Sequence, residues 1–331
     1  MTLSNPALSD QLQISMRRIN RDLERIVTTD PDIASRSIVR KSVLELIRSG
    51  GKRLRPIMVI VGSRFGAKPE STNVYQLAAV CEFIHAASLV HDDILDQADT
   101  RRGQPSLHKI TDVKTAVQIG NYMMSRVLEL LSARTKDRDR NIEELASLTT
   151  TQLCLGEYQQ MDNRYNFDLT LEQYWEKTRN KTAVLMATSL HLGARASEAD
   201  ESVAKQLYEF GDQLGMAFQV RDDVLDLQQS TEVLGKPAGA DLRNGQVTLP
   251  VLLAMEEPAI DNHLRKLHEG APDHLFDEAI TLIRNCGAIE RALEVSHTFM
   301  QRAWDITEQL SGHPAHRDLQ TLWHYFEKRT Y

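Results

Sequence analysis

The sequence predicts an all-α protein, and three observations predict it. Apolar residues recur at intervals of three and four through most of the chain, the period of one helix face. No segment alternates apolar and polar residues convincingly, as a half-buried strand would. The breaks in the helical pattern are short runs rich in Gly, Pro and charge, at Gly50-Gly51, Gly66 to Ser71, Arg101 to Pro105, Arg134 to Asn141, Asp162 to Leu169 and Gln228 to Gln246.

Taken in order, the first helix carries Leu12, Met16, Ile19, Leu23 and Ile26 on one face. The turn Gly50-Gly-Lys-Arg-Leu-Arg-Pro56 closes one helical stretch and opens the next. A helix with the stripe Leu77, Val80, Cys81, Ile84, Ala87 and Ser88 then runs into Asp92-Asp93-Ile94-Leu95-Asp96. Met123 and Met124 read as core packing. Arg134 to Arg140 reads as a charged surface turn with no evident chemistry. A later helix with Leu207, Phe210, Leu214, Ala217 and Phe218 runs into Asp222-Asp223-Val224-Leu225-Asp226. The Gly-rich segment Leu234 to Gly245 carries Lys236 and Arg243 and is long for a passive connection, which suggests a lid or clamp. No linker or shift in composition divides the chain, so residues 1–331 are expected to form a single domain. Self-similarity is confined to the two acidic motifs, each late in a long apolar helix. The expectation is two helices facing each other across a cavity rather than a solenoid.

With 331 residues, 41% hydrophobic and 26% charged, the chain has the composition of a globular protein. A net charge of -7 argues against a general nucleic-acid binder. Cys81, Cys154 and Cys286 form no CxxC pair and are expected as buried free thiols in a reducing compartment. No apolar stretch approaches the roughly 20 residues of a membrane span, and the N-terminus lacks an apolar signal core. The expected location is the cytoplasm, and a lipid product would give the protein reason for peripheral membrane contact.

Each acidic motif places carboxylates at i, i+1 and i+4. Asp92 and Asp96 therefore project from one helix face, as do Asp222 and Asp226. Like charges so placed repel, and a bound cation offsets the repulsion. Oxygen-only ligands favour hard metals, above all Mg2+, which keeps several waters and bridges to phosphate. His85 lies two turns before Asp92 on the same face, and Arg101 and Arg102 follow the motif closely. Guanidinium groups bind phosphate in a fork. Lys52, Arg53 and Arg55 crowd a glycine turn at a helix start, a second place for an anion. Lys181-Thr182, Lys236 and Gln219, three residues before Asp222, are further candidates. A single DxxxD on a helix is usually a solvated face, and a basic glycine turn is usually a surface loop. Two copies of the acidic pattern in apolar helices, flanked by arginines, favour a polyphosphate site instead.

At these residues the chain resembles the trans-isoprenyl (polyprenyl) diphosphate synthase family. The resemblance runs through GGKRLRP at 50–56, EFIHAASLVHDDILDQADTRRGQPS at 82–106, KTA at 181–183, GMAFQVRDDVLD at 215–226 and GKPAGADLRNGQVTLPVL at 235–252. CGAIERALE at 286–294 and the ending KRTY at 328–331 are similar to the larger catalytic subunit (component II) of bacterial heptaprenyl diphosphate synthases. The resemblance implies a helical bundle around a deep central cavity, of the isoprenoid synthase type. It implies Mg2+-assisted loss of diphosphate from an allylic substrate, attack by isopentenyl diphosphate on the resulting cation, and proton loss. By position, Asp92, Asp96 and Asp222 match metal ligands, with Asp93, Asp223 and Asp226 in support. Lys52, Arg55, His85 and Arg102 match the isopentenyl diphosphate pocket. Arg101, Lys181, Thr182, Gln219 and Lys236 match the allylic diphosphate contacts. Asp92, Asp96, Lys181 and Asp222 are the catalytic set. Gln246 stands where many relatives carry lysine, and Asn121 where aspartate is common.

Each condensation adds five carbons, and the growing tail needs room. Ser88 and Ala87, one turn upstream of Asp92, are small, which implies a product of C20 or longer, in the range C20–C40. Ile84 and Phe83 lie a turn deeper, and Phe83 is a candidate floor. Two rivals are weighed. A class I terpene cyclase is disfavoured by the second aspartate motif and by GGKRLRP. A non-catalytic subunit is disfavoured because both acidic sets are intact. A catalytic chain that is inactive or makes short products without a small partner subunit stays open. The resemblance implies a homodimer or such a heteromer.

Overall fold

This computed structural model describes residues 7–132, 140–228 and 238–328, the side chains of 140–146 excepted. Helix accounts for 74% of the described residues, as the period of the apolar residues requires. The helices in order are α1 (Leu8–Gln11), α2 (Met16–Thr28), α3 (Ile38–Arg48), α4 (Leu54–Ser63), α5 (Thr72–Leu95), α6 (Leu107–Ile110), α7 (Val113–Ser132), α8 (Arg140–Asp162), α9 (Leu171–Thr178), α10 (Val184–Ala196) and α11 (Glu201–Gln228). Shorter helices follow α11, and the longer Asp273–Asn285, Ala288–Gln309 and His316–Glu327 complete the chain. Among the described residues the only sheet is a hairpin of two-residue strands, β1 (Thr100–Arg101) and β2 (Gln104–Pro105), in the turn after the first acidic motif.

Local chemistry explains where the helices begin. The Ser15, Ser37 and Ser71 hydroxyls accept the backbone N–H groups of Arg18, Arg40 and Val74, capping α2, α3 and α5. Helix α9 opens with a full capping box between Thr170 and Gln173.

The chain groups into two compact units, residues 1–151, 185–211 and 304–331 in one, residues 152–184 and 212–303 in the other. In the first unit α5 packs against α2, α4 and α7. Its apolar residues are buried on almost every side, from Val74 to Val90. A helix that is apolar all round must be enclosed by others. By length and composition α5 passes as a membrane span, with a mean hydropathy of 1.2. This corrects the expectation that no stretch is apolar enough. Glu82 is the only charge before the aspartates and does not outweigh its neighbours. Most of the helix, 72% of the apolar window, is nevertheless buried inside the protein. The second unit has its own core, gathering Phe167, Tyr174, Val220, Val224, Leu249 and Ile283. The thiols follow expectation only at Cys81, where burial pushes the pKa up to about 12; Cys154 is exposed and Cys286 half-buried.

Candidate active site

The first acidic motif belongs to the first unit and the second motif to the second. At the end of α5, Asp92 is half-buried, Asp93 buried, and Asp96 exposed as the residue that closes the helix. Asp93 accepts from Arg101 Nε at 2.8 Å and from a second nitrogen of the same guanidinium. The i+1 carboxylate thus anchors the hairpin that follows the helix. Arg102 lies at the hairpin turn with φ 53° and donates to the Gly50 carbonyl. The glycine turn is needed there on two counts. Gly51 has φ 126°, a conformation L side chains rarely adopt, and a Cβ on it would lie 2.6 Å from the Arg102 guanidinium.

His85, two turns before Asp92, has Nε2 at 3.3 Å from Arg55 Nη1. Its pKa is held well below the ordinary 6.5, first by burial and then by the charges of Arg55, Arg102, Arg101 and Arg53. A neutral imidazole ringed by four guanidiniums marks a strongly positive pocket, suited to a polyanion. A cleft of about 660 Å3 opens beside this cluster, with Asp93, Arg101, Arg102, Ser49 and Ser106 among its walls. Lys52 is exposed.

Arg53, read from the sequence as one of three cations at an anion site, is instead taken up inside the protein. Its Nη1 donates to Glu82 Oε1 at 2.8 Å, both side chains nearly enclosed, and a second nitrogen donates to the Ile47 carbonyl. A signal existed. Glu82 is an isolated acid in an apolar helix, and a buried acid demands a partner.

In the second unit, Lys181 and Thr182 sit in a π-helical turn, Arg179–Ala183, between α9 and α10. Such turns carry an extra residue and often mark functional sites. Two glycines let helices close on it. A Cβ at Gly156 would lie 2.6 Å from Lys181 N, and one at Gly215 would lie 2.5 Å from the Ala183 Cα. Lys181 Nζ donates to Glu157 at 3.0 Å. Thr182 Oγ1 donates to Gln219 Oε1 at 2.7 Å, and Gln219 Nε2 donates to Asp223 Oδ1 at 2.9 Å. Tyr174 OH donates to Asp223 Oδ2 at 2.6 Å. Asp222 is half-buried, like Gln219. Asp226 is buried as well, its Oδ2 accepting the Asp241 N–H at 3.0 Å and its carbonyl accepting the Gly239 N–H at 2.8 Å. It tethers the chain where the Gly-rich segment returns. Arg243, in that segment, is ion-paired to Asp277 and lies 3.5 Å from Asp273. Lys236, Arg134 and the final residues of KRTY lie outside the described residues.

Of the tunnel candidates, Phe83 and Ala87 are fully buried and Ser88 is half-buried. Met123 is core, as expected. Asn121 is exposed. Its neighbour Gly120 takes the His91 ring so closely that a Cβ would meet it at 2.6 Å.

Among the described residues no group of three or more His, Cys, Asp or Glu side chains is placed to hold a metal. The donor chemistry nevertheless fits a hard cation. Each motif offers a half-exposed first carboxylate, while Asp93 and Asp223 are engaged by protein donors. One or two carboxylates supplemented by water and phosphate oxygens is the ligand set Mg2+ prefers.

The family model for polyprenyl synthetases matches residues 36–283. Heptaprenyl diphosphate synthase component 2 of Bacillus subtilis (strain 168) is 36% identical over 324 residues, 98% of this chain and 89% of the relative. The crystal structure of heptaprenyl diphosphate synthase from Staphylococcus aureus aligns with a TM-score of 0.88 at 33% identity, covering 99% of this chain and 100% of that one. That of a polyprenyl synthase from Caulobacter crescentus CB15, complexed with calcium and isoprenyl diphosphate, aligns with a TM-score of 0.84 at 29% identity, covering 98% and 97%.

Proposed function

The chain belongs to the polyprenyl synthetase family and is a prenyltransferase of that family, and on that premise we propose that it joins isopentenyl diphosphate head to tail to an allylic diphosphate, with Mg2+ as cofactor, to give an all-trans product of C20–C40. The observation that carries this reading is the pairing of each acidic motif with its own anion-binding groups. Arg55, Arg101, Arg102 and His85 gather in one unit, and Lys181, Thr182 and Gln219 in the other. The Caulobacter relative, crystallised with calcium and isoprenyl diphosphate, supports a divalent cation and a diphosphate for this chain too.

In this reading Lys52, Arg55, His85 and Arg102 bind isopentenyl diphosphate and orient its double bond. Neutral His85 offers its ring nitrogens without adding charge to an arginine-rich pocket. Arg101, Lys181, Thr182, Gln219 and Lys236 hold the allylic diphosphate and stabilise negative charge as it departs. Lys181 exchanges Glu157 for phosphate on binding. Asp92, Asp96 and Asp222 would hold Mg2+, which supplies Lewis acidity and a template for the diphosphate when bound. Asp93, Asp223 and Asp226 support them through Arg101, Gln219 and the backbone of Asp241. Small Ala87 and Ser88 leave room for a tail beyond C15, with Phe83 as the floor.

The chain acts as a homodimer or as the catalytic member of a heteromer with a small subunit. The second form is favoured by the Bacillus relative, whose name makes it one component of its synthase. The expected location remains the cytoplasm, with peripheral membrane contact. The test is incubation of the purified chain with isopentenyl and farnesyl diphosphates and Mg2+, followed by sizing of the product. Elongation to C20–C40 supports the reading, and a cyclised hydrocarbon overturns it in favour of a terpene cyclase. Silence relieved by a small synthase subunit selects the heteromer.

A further inference from the structure

Tyr174 is fully buried, and its hydroxyl is aimed at the second acidic motif rather than at solvent. From there three hydrogen bonds run in series. Tyr174 OH donates to Asp223 Oδ2 at 2.6 Å, Gln219 Nε2 donates to Asp223 Oδ1 at 2.9 Å, and Thr182 Oγ1 donates to Gln219 Oε1 at 2.7 Å. Each proton points toward Asp223. An acceptor-only carboxylate requires the NH2 end of Gln219, which turns the amide oxygen to Thr182. The order is therefore fixed from the Asp223 end. Lys177 lies alongside, nine-tenths buried, with its ammonium 5.0 Å from the centroid of the Tyr174 ring. Burial raises the Asp223 carboxyl above its ordinary range, opposed by the Lys177 charge and by bonds from Tyr174, Gln219 and the Leu249 backbone. The carboxylate is costly to bury and depends on these donors for its place.

We propose that Tyr174 is a positioning residue for the allylic diphosphate, acting through Asp223 and Gln219 to fix the amide and hydroxyl that the substrate meets. This rests on the reading of Gln219 and Thr182 as allylic contacts. The Tyr174 hydroxyl touches neither substrate. It holds Asp223 from the side opposite Gln219, so its loss frees the carboxylate to turn and the amide to flip. Thr182 then loses its fixed acceptor. A buried tyrosine that served packing alone would lack this chain of bonds, and its hydroxyl would not discriminate between the two substrates.

The test is a double-mutant cycle on the full chain, with Tyr174→Phe and Thr182→Val, both close in shape to the native residues. Under the proposal each single change raises KM for farnesyl diphosphate about fivefold or more and leaves KM for isopentenyl diphosphate within twofold. The double variant is no worse than Thr182→Val alone, because both act on one contact. Additive effects, or a Tyr174→Phe enzyme with both KM values unchanged or equally raised, would overturn the proposal. Failure of the underlying reading looks different: Thr182→Val alone would then leave KM for farnesyl diphosphate unmoved. Should Tyr174→Phe fold poorly, Asp223→Asn replaces it in the cycle and is held to the same outcomes.

Discussion

The two acidic motifs share one spacing and divide its work differently. At the first position they agree: Asp92 and Asp222 are both half-buried. At the second they agree in burial and differ in partner. Asp93 is matched by the formal charge of Arg101, whereas Asp223 is held by the neutral donors Tyr174 and Gln219, with Lys177 alongside. At the third they part. Asp96 ends its helix exposed, and Asp226 is buried in bonds to the backbone of the returning Gly-rich segment. A repeated sequence pattern thus specifies a repeated helix face, and the tertiary surroundings decide which carboxylates face a ligand and which brace the fold.

That comparison is most severely tested by its point of agreement. Asp92→Ala and Asp222→Ala should each cut turnover about a hundredfold to a thousandfold, since on the proposed reading each removes a charge-bearing metal ligand from a step worth several kcal/mol. Near-normal kcat in either variant would break the parallel. The third position separates the motifs. Asp226→Ala removes the acceptor of the half-buried Asp241 N–H and should cost about 0.5–1.5 kcal/mol in denaturant unfolding. Asp96→Ala should leave stability within about 0.5 kcal/mol, as exposed substitutions do, while turnover falls. Equal stability losses would erase the distinction.

Smaller effects sharpen the first half-site. Arg102→Ala should raise KM for isopentenyl diphosphate about tenfold, the loss of one charge-assisted contact of about 1.5 kcal/mol, with KM for the allylic substrate little changed. The reverse pattern would exchange the two pockets. Ala87→Phe should shift the main product to a shorter chain, read by radiolabelled product sizing. An unchanged distribution would remove Ala87 from the tunnel.

The smallest effect concerns pH. His85 has its folded pKa depressed below 6.5, so the unfolded chain takes up a proton first as pH falls. Stability should therefore decline below about pH 6.5 as protonation pulls on the unfolded state. Thermal unfolding of His85→Gln between pH 7 and 5 should show a flatter slope than wild type. An identical slope would mean that neither burial nor the arginine cluster depresses the His85 pKa.

Much of this was legible in the sequence, for identifiable reasons. The helical class follows from apolar spacing, and the end of α5 at Asp96 follows from the turn residues beyond it. The aspartate pairs declare themselves because i and i+4 share a helix face. The remainder depends on contacts across long sequence separations. Tyr174 lies far in the chain from Asp223, and the Arg53–Glu82 pair requires knowing that both are enclosed. The π-helical turn at Arg179–Ala183 has no propensity signature, and the glycines that approach it closely, Gly156 and Gly215, lie on other helices. Lys181 and Thr182 accordingly have no local signal of their own beyond residue type, and the resemblance supplies their role.

The central claim is that these carboxylates hold a divalent ion for a diphosphate. Its most direct measurement is a crystal structure with Mn2+ and an unreactive allylic diphosphate analogue, with the metal located by anomalous scattering. Peaks within coordination distance of Asp92, Asp96 and Asp222, bridged to the analogue, are the predicted result. An analogue gripped by arginine and lysine alone, with no metal at any of the three aspartates, would contradict it.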